Sequence, residues 1–124
     1  MLQQTTVLVM AKDRFVSALL GALIELSGRT VAFRADDETS YAAVRRTRPD
    51  LVICDCALGL ATCTEVAAIT RLEGVKMLMF SASHTDREAR DIAGLYGAQS
   101  FVLPVKPRDF MASIDRVMET TIST

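Results

Sequence analysis

Residues 51–59 read LVICDCALG, an apolar run that ends on a carboxylate, Asp55, held between two cysteines. The four residues before the acid are all apolar, as expected of a strand covered on both faces of a parallel sheet. A charged group at the point where such a strand reaches the surface can cap a turn, bind a metal, join a redox pair or react. The rest of the chain decides between these roles.

Four further runs have the character of strands, and longer helical patterns separate them. They are TTVLVM (5–10), TVAFRA (30–35), KMLMF (76–80) and SFVL (100–103). A βα unit repeated about five times predicts an α/β fold, namely a doubly wound parallel sheet of five strands.

The helical segments carry start and stop signals. Asp13 is expected to cap the first helix, and its apolar positions recur at helical spacing: Val16, Leu19, Leu20 and Leu23. Two pairs with capping-box spacing predict further helix starts: Thr62 with Glu65, and Thr85 with Glu88. Helix ends are expected at Gly28, at Arg48-Pro49 and at Gly97. Pro107 fits the first turn of the last helix, whose inward positions are Phe110, Ile114 and Val117.

The 124 residues suit one domain, with a core over about residues 5–119 and frayed ends. We expect a cytoplasmic protein, because no apolar stretch approaches the ~20 residues of a membrane span and MLQQTT lacks signal-peptide features. A net charge of −1 offers no general attraction to acidic membranes or nucleic acid. The basic run RRTR (45–48) lacks interleaved aromatics and is interpreted as a solvated helix end.

Right-handed crossovers point all strand carboxyl ends to one rim, where open α/β sheets bind their ligands. The segments expected at this rim are 11–13 (AKD), 55–57 (DCA), 81–83 (SAS) and 104–106 (PVK). A carboxylate, a hydroxyl and ammonium groups therefore converge there, although they are far apart in sequence.

Metal, redox and nucleotide sites are poorly supported. Cys54, Cys56 and Cys63 lack a fourth zinc ligand at the usual spacing, His84 is the only histidine, and there is no C-x-x-C pair. We interpret the three thiols as reduced and packed in the core. The loop after the first strand reads MAKDR, without the glycines of a phosphate-binding loop.

Four stretches together resemble the receiver domains of two-component response regulators, in order and spacing across nearly the whole chain. They are TTVLVMAKD (5–13), RPDLVICDCAL (48–58), MLMFSAS (77–83) and GAQSFVLPVKPRDF (97–110). The resemblance implies a flavodoxin-like (βα)5 receiver fold and a phosphoprotein of a phosphorelay rather than an enzyme. It places the phosphoacceptor at Asp55, the switch hydroxyl at Ser81 and an aromatic at Phe101.

The resemblance also implies partners. These are a sensor histidine kinase or another signalling protein, and a homodimer contact through the fourth helix, fifth strand and fifth helix. Direct nucleic-acid binding by this domain is not expected.

The acidic pocket departs from the family pattern. Receiver domains typically carry two adjacent acids after the first strand that hold Mg²⁺ with the phosphoacceptor, but here Ala11 and Lys12 occupy those positions and Asp13 comes one place late. If a metal binds, the resemblance assigns it to Asp13, Asp55 and the backbone oxygen of Ala57.

The family's lysine and proline positions are altered too. Leu103 precedes Pro104 where the family has a lysine, so that lysine is absent or has moved to Lys106. The proline that usually follows the phosphoacceptor is missing, with Gly59 nearby.

We therefore expect Lys12 to pair with Asp55 and Mg²⁺-dependent phosphorylation to be weak or absent, since a cation sits where Mg²⁺ would bind. The alternative is that Asp13 holds the metal while Lys12 or Lys106 contacts the phosphate. Three classes of function stay open: a receiver-like module, phosphorylated or acting as a pseudo-receiver; a flavodoxin-like cofactor carrier; and a structural dimerisation domain.

Overall fold

A computed structural model describes residues 5–81, 87–95 and 99–119. Its strands are β1 (Thr6–Met10), β2 (Thr30–Phe33), β3 (Leu51–Asp55), β4 (Lys76–Ser81) and β5 (Gln99–Val102). Its helices are α1 (Arg14–Leu26), α2 (Ser40–Thr47), α3 (Leu60–Glu73), α4 (Arg87–Leu95) and α5 (Pro107–Glu119), with a 3-10 turn at Cys56–Leu58. The predicted alternation of strands and helices is confirmed.

The five strands form one sheet in the order β2-β1-β3-β4-β5, and every pairing is parallel. Met10 of β1 is in register with Cys54 of β3, and Asp55 is in register with Phe80 of β4. β2 lies on one side of β1 and β3 lies on the other, so the order of strands reverses direction between β1 and β3. This reversal between β1 and β3 is the switch point at which ligand crevices form.

Each face of the sheet has its own hydrophobic cluster. On one face α1 and α5 pack on the strands, and their buried contacts include Leu20, Ile24, Phe110, Ile114 and Val117. On the other face α2, α3 and α4 contribute Ala43, Val44, Cys63, Val66, Ile69 and Ile92. Both faces are covered, which explains why the central strands are apolar without alternation.

Several predicted helix boundaries are confirmed. The Asp13 carboxylate accepts hydrogen bonds from the N–H groups of Phe15 and Val16 at 2.7 and 3.2 Å, and so caps α1. Arg48 ends α2 with a left-handed backbone (φ 45°) just before Pro49. Pro107 is the first residue of α5, and the side chains of Phe110, Ile114 and Val117 are buried as expected.

The capping box predicted at Thr62 and Glu65 is wrong. α3 begins earlier, at Leu60, after Gly59 with φ 97°. Thr62 therefore lies inside the first turn, because a glycine backbone turn starts the helix where no side-chain cap is present. Thr85 and Gly97, the other predicted boundary residues, lie outside the described residues.

The apolar positions that recur along α1 are not all in the core. Leu20 and Leu23 of α1 are buried, but Leu19 is 53% exposed. The apolar residues of α1 thus occupy more of the helix circumference than the sheet can cover. No helix within the described ranges is long and apolar enough to cross a membrane.

Candidate functional site

The rim of the sheet at the switch point is built by the ends of β1, β3 and β4. Asp55 is the last residue of β3, between Lys12 beyond β1 and Ser81 at the end of β4. The prediction that the strands before residues 11–13, 55 and 81 lie side by side and run in the same direction is confirmed, and a crevice at their shared rim stays a prediction.

Both oxygen atoms of the Asp55 carboxylate accept hydrogen bonds from the backbone. The N–H of Lys12 donates to Oδ2 at 3.0 Å, and the N–H of Ala57 donates to Oδ1 at 2.9 Å. Only 3% of Asp55 is exposed. The first bond ties the loop after β1 to β3, and the second starts the 3-10 turn, so Asp55 organises the rim.

Lys12 contacts Asp55 in a different way from the one the sequence predicts. Its backbone N–H makes the contact, whereas the ion pairs within the described ranges do not include the Lys12 ammonium. The side chain of Lys12 is exposed. Its long aliphatic stem allows the ammonium to stay in water. Pairing with the buried Asp55 carboxylate would remove water from the ammonium, and one ion pair does not readily repay that cost.

Asp13 lies beside Lys12 but serves the helix. Its Oδ1 atom accepts both N–H bonds of the α1 cap, at 2.7 Å from Phe15 and 3.2 Å from Val16. Within the described parts of the chain, no three His, Cys, Asp or Glu side chains lie close enough together to hold a metal ion.

Ser81 and Lys106 differ in how they relate to Asp55. Ser81 is buried and directly follows Phe80, the register partner of Asp55, so it belongs to the same rim. Its carbonyl accepts the N–H of Leu103 at 2.9 Å, which joins β4 to the chain after β5. Lys106 is exposed just before α5, and its carbonyl accepts the N–H of Phe110 at 2.9 Å. The structure records no contact from Lys106 to Asp55.

The three cysteines form a buried group of free thiols beneath the rim, as predicted. The sulfur atoms of Cys54 and Cys63 are 4.0 Å apart. The neighbouring Cys63 sulfur and burial raise the pKa of the Cys54 thiol, so Cys54 keeps its proton at neutral pH. Cys63 also donates its S–H to the carbonyl of Asp55 at 3.7 Å.

Phe101 is packed in the core rather than displayed at the rim. Its ring stacks on Phe80, with centroids 5.3 Å apart and planes at 14°, and meets Phe110 edge-on at 5.3 Å and 72°. Only 7% of Phe101 is exposed. In this arrangement β4, β5 and α5 share one aromatic cluster, and its β4 member, Phe80, directly precedes Ser81.

The turn-capping role considered for Asp55 is confirmed by the Ala57 N–H, whereas the contact of Cys63 is not predicted from the sequence. Ala57 contributes an N–H donor to Asp55, whereas the resemblance suggested only its carbonyl oxygen. Cys63 supports the Asp55 backbone from α3, although its thiol was interpreted as packing alone. The Ala57 contact has a local signal, since an acid that ends a strand often accepts the N–H two residues on. The Cys63 contact has none.

Solved structures with the same architecture match nearly the whole chain. A response regulator from Thermotoga maritima aligns with a TM-score of 0.79 and 20% identity, over 95% of this chain and 100% of that one. A response regulator receiver protein from Burkholderia phymatum aligns with a TM-score of 0.78 and 20% identity, over 95% and 98% of the two chains.

A third similar structure is the signal receiver domain of a modulated diguanylate cyclase from Desulfovibrio desulfuricans G20. Its TM-score is 0.76 with 22% identity, and the alignment covers 94% of each chain. The chain has the receiver fold. The fold predicted from the sequence resemblance is therefore confirmed.

The solved structures share the fold of this chain, although sequence comparison by itself finds no relative. No protein-family model matches the sequence, and no curated protein matches it. With identities of 20–22% to the receiver structures above, the shared property is the backbone arrangement.

Proposed function

We propose that this chain is a receiver-like signalling module that works by docking on another protein, independently of Mg²⁺-dependent phosphorylation. The observation that carries the proposal is the Asp55 carboxylate, whose two oxygen atoms both accept backbone N–H bonds while 3% of the residue is exposed. These hydrogen bonds hold the loops at the rim in place, so the aspartate has a structural role that does not require a metal or a phosphoryl group.

The charge balance around Asp55 supports the same proposal. Phosphoryl transfer requires positive charge that neutralises the transferring group, usually Mg²⁺ held by one or two carboxylates. Here Ala11 and Lys12 follow β1 in place of two acids. A Lys12 cation close to the rim repels a divalent ion, and Ala11 offers no side-chain ligand.

Asp13 is the remaining carboxylate that could hold a metal with Asp55 and the Ala57 carbonyl. Turning it toward a metal would compete with the α1 cap, in which its Oδ1 atom accepts two N–H bonds. Loss of a helix N-cap costs about 0.5–2 kcal/mol, so this rearrangement opposes metal binding. We propose that Mg²⁺ is not a resident cofactor.

The proposed partner is a sensor histidine kinase or another signalling protein, recognised through the surface of the receiver fold. The expected homodimer contact through α4, β5 and α5 stays a prediction. A catalytic role is not proposed, because both oxygen atoms of the acid at the rim accept backbone hydrogen bonds.

A phosphorylated receiver is the second candidate. The observation that favours it is the register of Asp55 with Phe80, because this register places Ser81 at the same rim as Asp55. A hydroxyl at that place could respond to phosphorylation of Asp55. The two candidates differ in whether Asp55 can accept a phosphoryl group.

Intact-mass spectrometry after incubation with acetyl phosphate and Mg²⁺ separates them. We expect no phosphate-sized gain in the wild-type protein. A gain that disappears in Asp55→Asn would overturn the proposal and establish the phosphorylated receiver. Visible colour in the purified protein would instead indicate a flavin carrier.

The Ala11→Asp/Lys12→Asp double variant provides a matched positive control. It restores two acids after β1 and leaves Asp55 and Ser81 in place. If the missing acids are what prevent phosphorylation, this variant binds Mg²⁺ in calorimetry and gains phosphate at Asp55, while Lys12→Ala does neither. Equal phosphate gain in the wild type and the double variant would show that the acids are irrelevant.

A further inference from the structure

Helix α1 presents an apolar stripe to solvent. Phe15 is 88% exposed, Leu19 53% and Leu26 81%, and Ala22 between them is exposed as well. These positions are spaced by four, three and four residues, the pattern with which two helices pack along a shared seam. The opposite side of α1 is fully used, because Leu20, Leu23 and Ile24 are buried against the sheet.

Among the side chains whose exposure the structure describes, no other element carries such a stripe. The remaining large exposed apolar side chains are distributed over four other elements, with Phe33 on β2, Tyr41 on α2, Leu60 and Leu72 at opposite ends of α3, and Leu95 on α4. Scattered apolar residues are normal on a protein surface, whereas a contiguous stripe marks an interaction site. Phe33 packs on α1 outside the stripe, because a Cβ atom at Gly21 would come within 2.6 Å of its Cζ atom.

The charges of α1 indicate what kind of helix would cover the stripe. Arg14 at the start and Glu25 near the end are its only charged residues, and both oppose the helix dipole, which favours acids at the start and bases at the end. At 100° per residue the two side chains lie on the same flank of the stripe. A helix running antiparallel to α1 would bring a negative terminus and an acid to Arg14, and a positive terminus and a base to Glu25.

We propose that α1 pairs with α1 of a second copy of this chain, antiparallel and about a two-fold axis. The pairing sets Phe15 opposite Leu26 of the other copy and Leu19 opposite Ala22, so that the small Ala22 leaves room for Leu19 at the centre of the seam. On the flank, Arg14 of each copy reaches Glu25 of the other. A second copy satisfies both features of α1 because a two-fold interface is self-complementary.

The existing ion pair of Arg14 does not oppose this pairing. Arg14 contacts Asp36 at 3.3 Å, but the two side chains are 89% and 91% exposed. Exposed pairs of this kind contribute about 0–1 kcal/mol, so the guanidinium is available to a partner.

The exposed area sets the expected strength. Phe15, Leu19 and Leu26 together expose on the order of 400 Å² per copy, so their pairing buries on the order of 800 Å² from the large side chains alone. Specific interfaces begin near a total buried area of about 1,000–1,200 Å². The residues that flank the stripe can supply the difference. We therefore expect a weak dimer, with a dissociation constant in the micromolar range or above.

Sedimentation equilibrium over a wide concentration range tests the dimer, with two matched substitutions. Leu26→Glu changes a residue of the stripe that is 81% exposed, and Leu72→Glu changes one on α3 that is 85% exposed. We expect at least a tenfold increase in the dissociation constant for Leu26→Glu and none for Leu72→Glu, with circular dichroism unchanged for both. A monomeric wild type, or equal effects of the two substitutions, would overturn the proposal.

Charge reversal tests the orientation of the pair. Arg14→Glu and Glu25→Arg should each weaken the dimer, since like charges then face each other across the axis. The double variant Arg14→Glu/Glu25→Arg should recover most of the lost affinity. Additive weakening in the double variant would contradict the antiparallel arrangement.

Discussion

Asp55 and Lys12, 43 residues apart in the sequence, are joined at the rim by a hydrogen bond from the Lys12 backbone to the Asp55 carboxylate, 3.0 Å long. The lysine side chain is therefore dispensable for this contact, while the carboxylate is needed because it receives a second backbone N–H from Ala57.

This relationship predicts opposite outcomes for two substitutions. Lys12→Ala should change the free energy of unfolding by less than about 0.5 kcal/mol, as for other surface positions. Asp55→Asn should destabilise the fold by about 1–3 kcal/mol, because its amide nitrogen would face one of the N–H donors. Urea denaturation measures both. Stabilisation by Asp55→Asn would indicate repulsion among acids at the rim and contradict the proposed pocket.

The aromatic cluster of Phe80, Phe101 and Phe110 predicts a large effect on stability. Phe101→Ala should destabilise the fold by about 3–5 kcal/mol, because the substitution leaves a cavity between the rings of Phe80 and Phe110. The centroid of the Phe101 ring lies 5.3 Å from the centroid of each of these rings. Phe15→Ala, at an 88% exposed site, should cost less than about 0.5 kcal/mol in urea denaturation at low protein concentration. A mild effect of Phe101→Ala would mean that this ring is not packed as described.

Glu38 predicts a specific loss of stability in acid. Hydrogen bonds from Arg46, at 2.6 and 2.7 Å, and from the Ala35 N–H, at 3.0 Å, lower the pKa of Glu38 from 4.5 to about 2. Because the folded pKa is depressed, this contribution is complete above about pH 4.5 and is lost as the pH falls toward about 2.

The measurement is the free energy of unfolding as a function of pH across that window. Glu38→Gln should flatten the acid-dependent slope relative to the wild type. Asp36→Asn is the matched control, because the ion pair of Asp36 with Arg14 is almost fully exposed and should have little influence. Equal slopes in the wild type and Glu38→Gln would show that the Arg46 contact does not form in solution.

Two glycines predict effects of opposite sign. Gly59, which starts α3, has φ 97°, so Gly59→Ala should destabilise the fold by about 1–3 kcal/mol. Gly94 lies within α4, where an added Cβ meets nothing within 4 Å, so Gly94→Ala should stabilise by roughly 0.5–1 kcal/mol. Thermal or urea unfolding of both variants checks the pair. A neutral Gly59→Ala would imply that α3 can begin with an ordinary cap.

Much of the fold follows from the sequence alone, for reasons that are local. Continuous apolar runs specify strands buried on both faces, Asp13 caps the helix that follows it, and Pro49 and Pro107 restrict the backbone on either side of helices. Parallel strands share a direction, so even the meeting of Asp55 with the segment after β1 could be predicted from the order of elements.

Tertiary structure decided the contacts that depend on how a loop runs over its neighbours. Whether Lys12 offers Asp55 its ammonium or its N–H depends on the backbone path between β1 and α1, which no residue pattern encodes. The exposure of Leu19 depends on how much of α1 the sheet and α5 can cover, so helical spacing marks it as apolar without placing it inside. Propensity and periodicity act over a few residues, whereas packing couples residues far apart in the chain, and these features of the site and the α1 surface belong to packing.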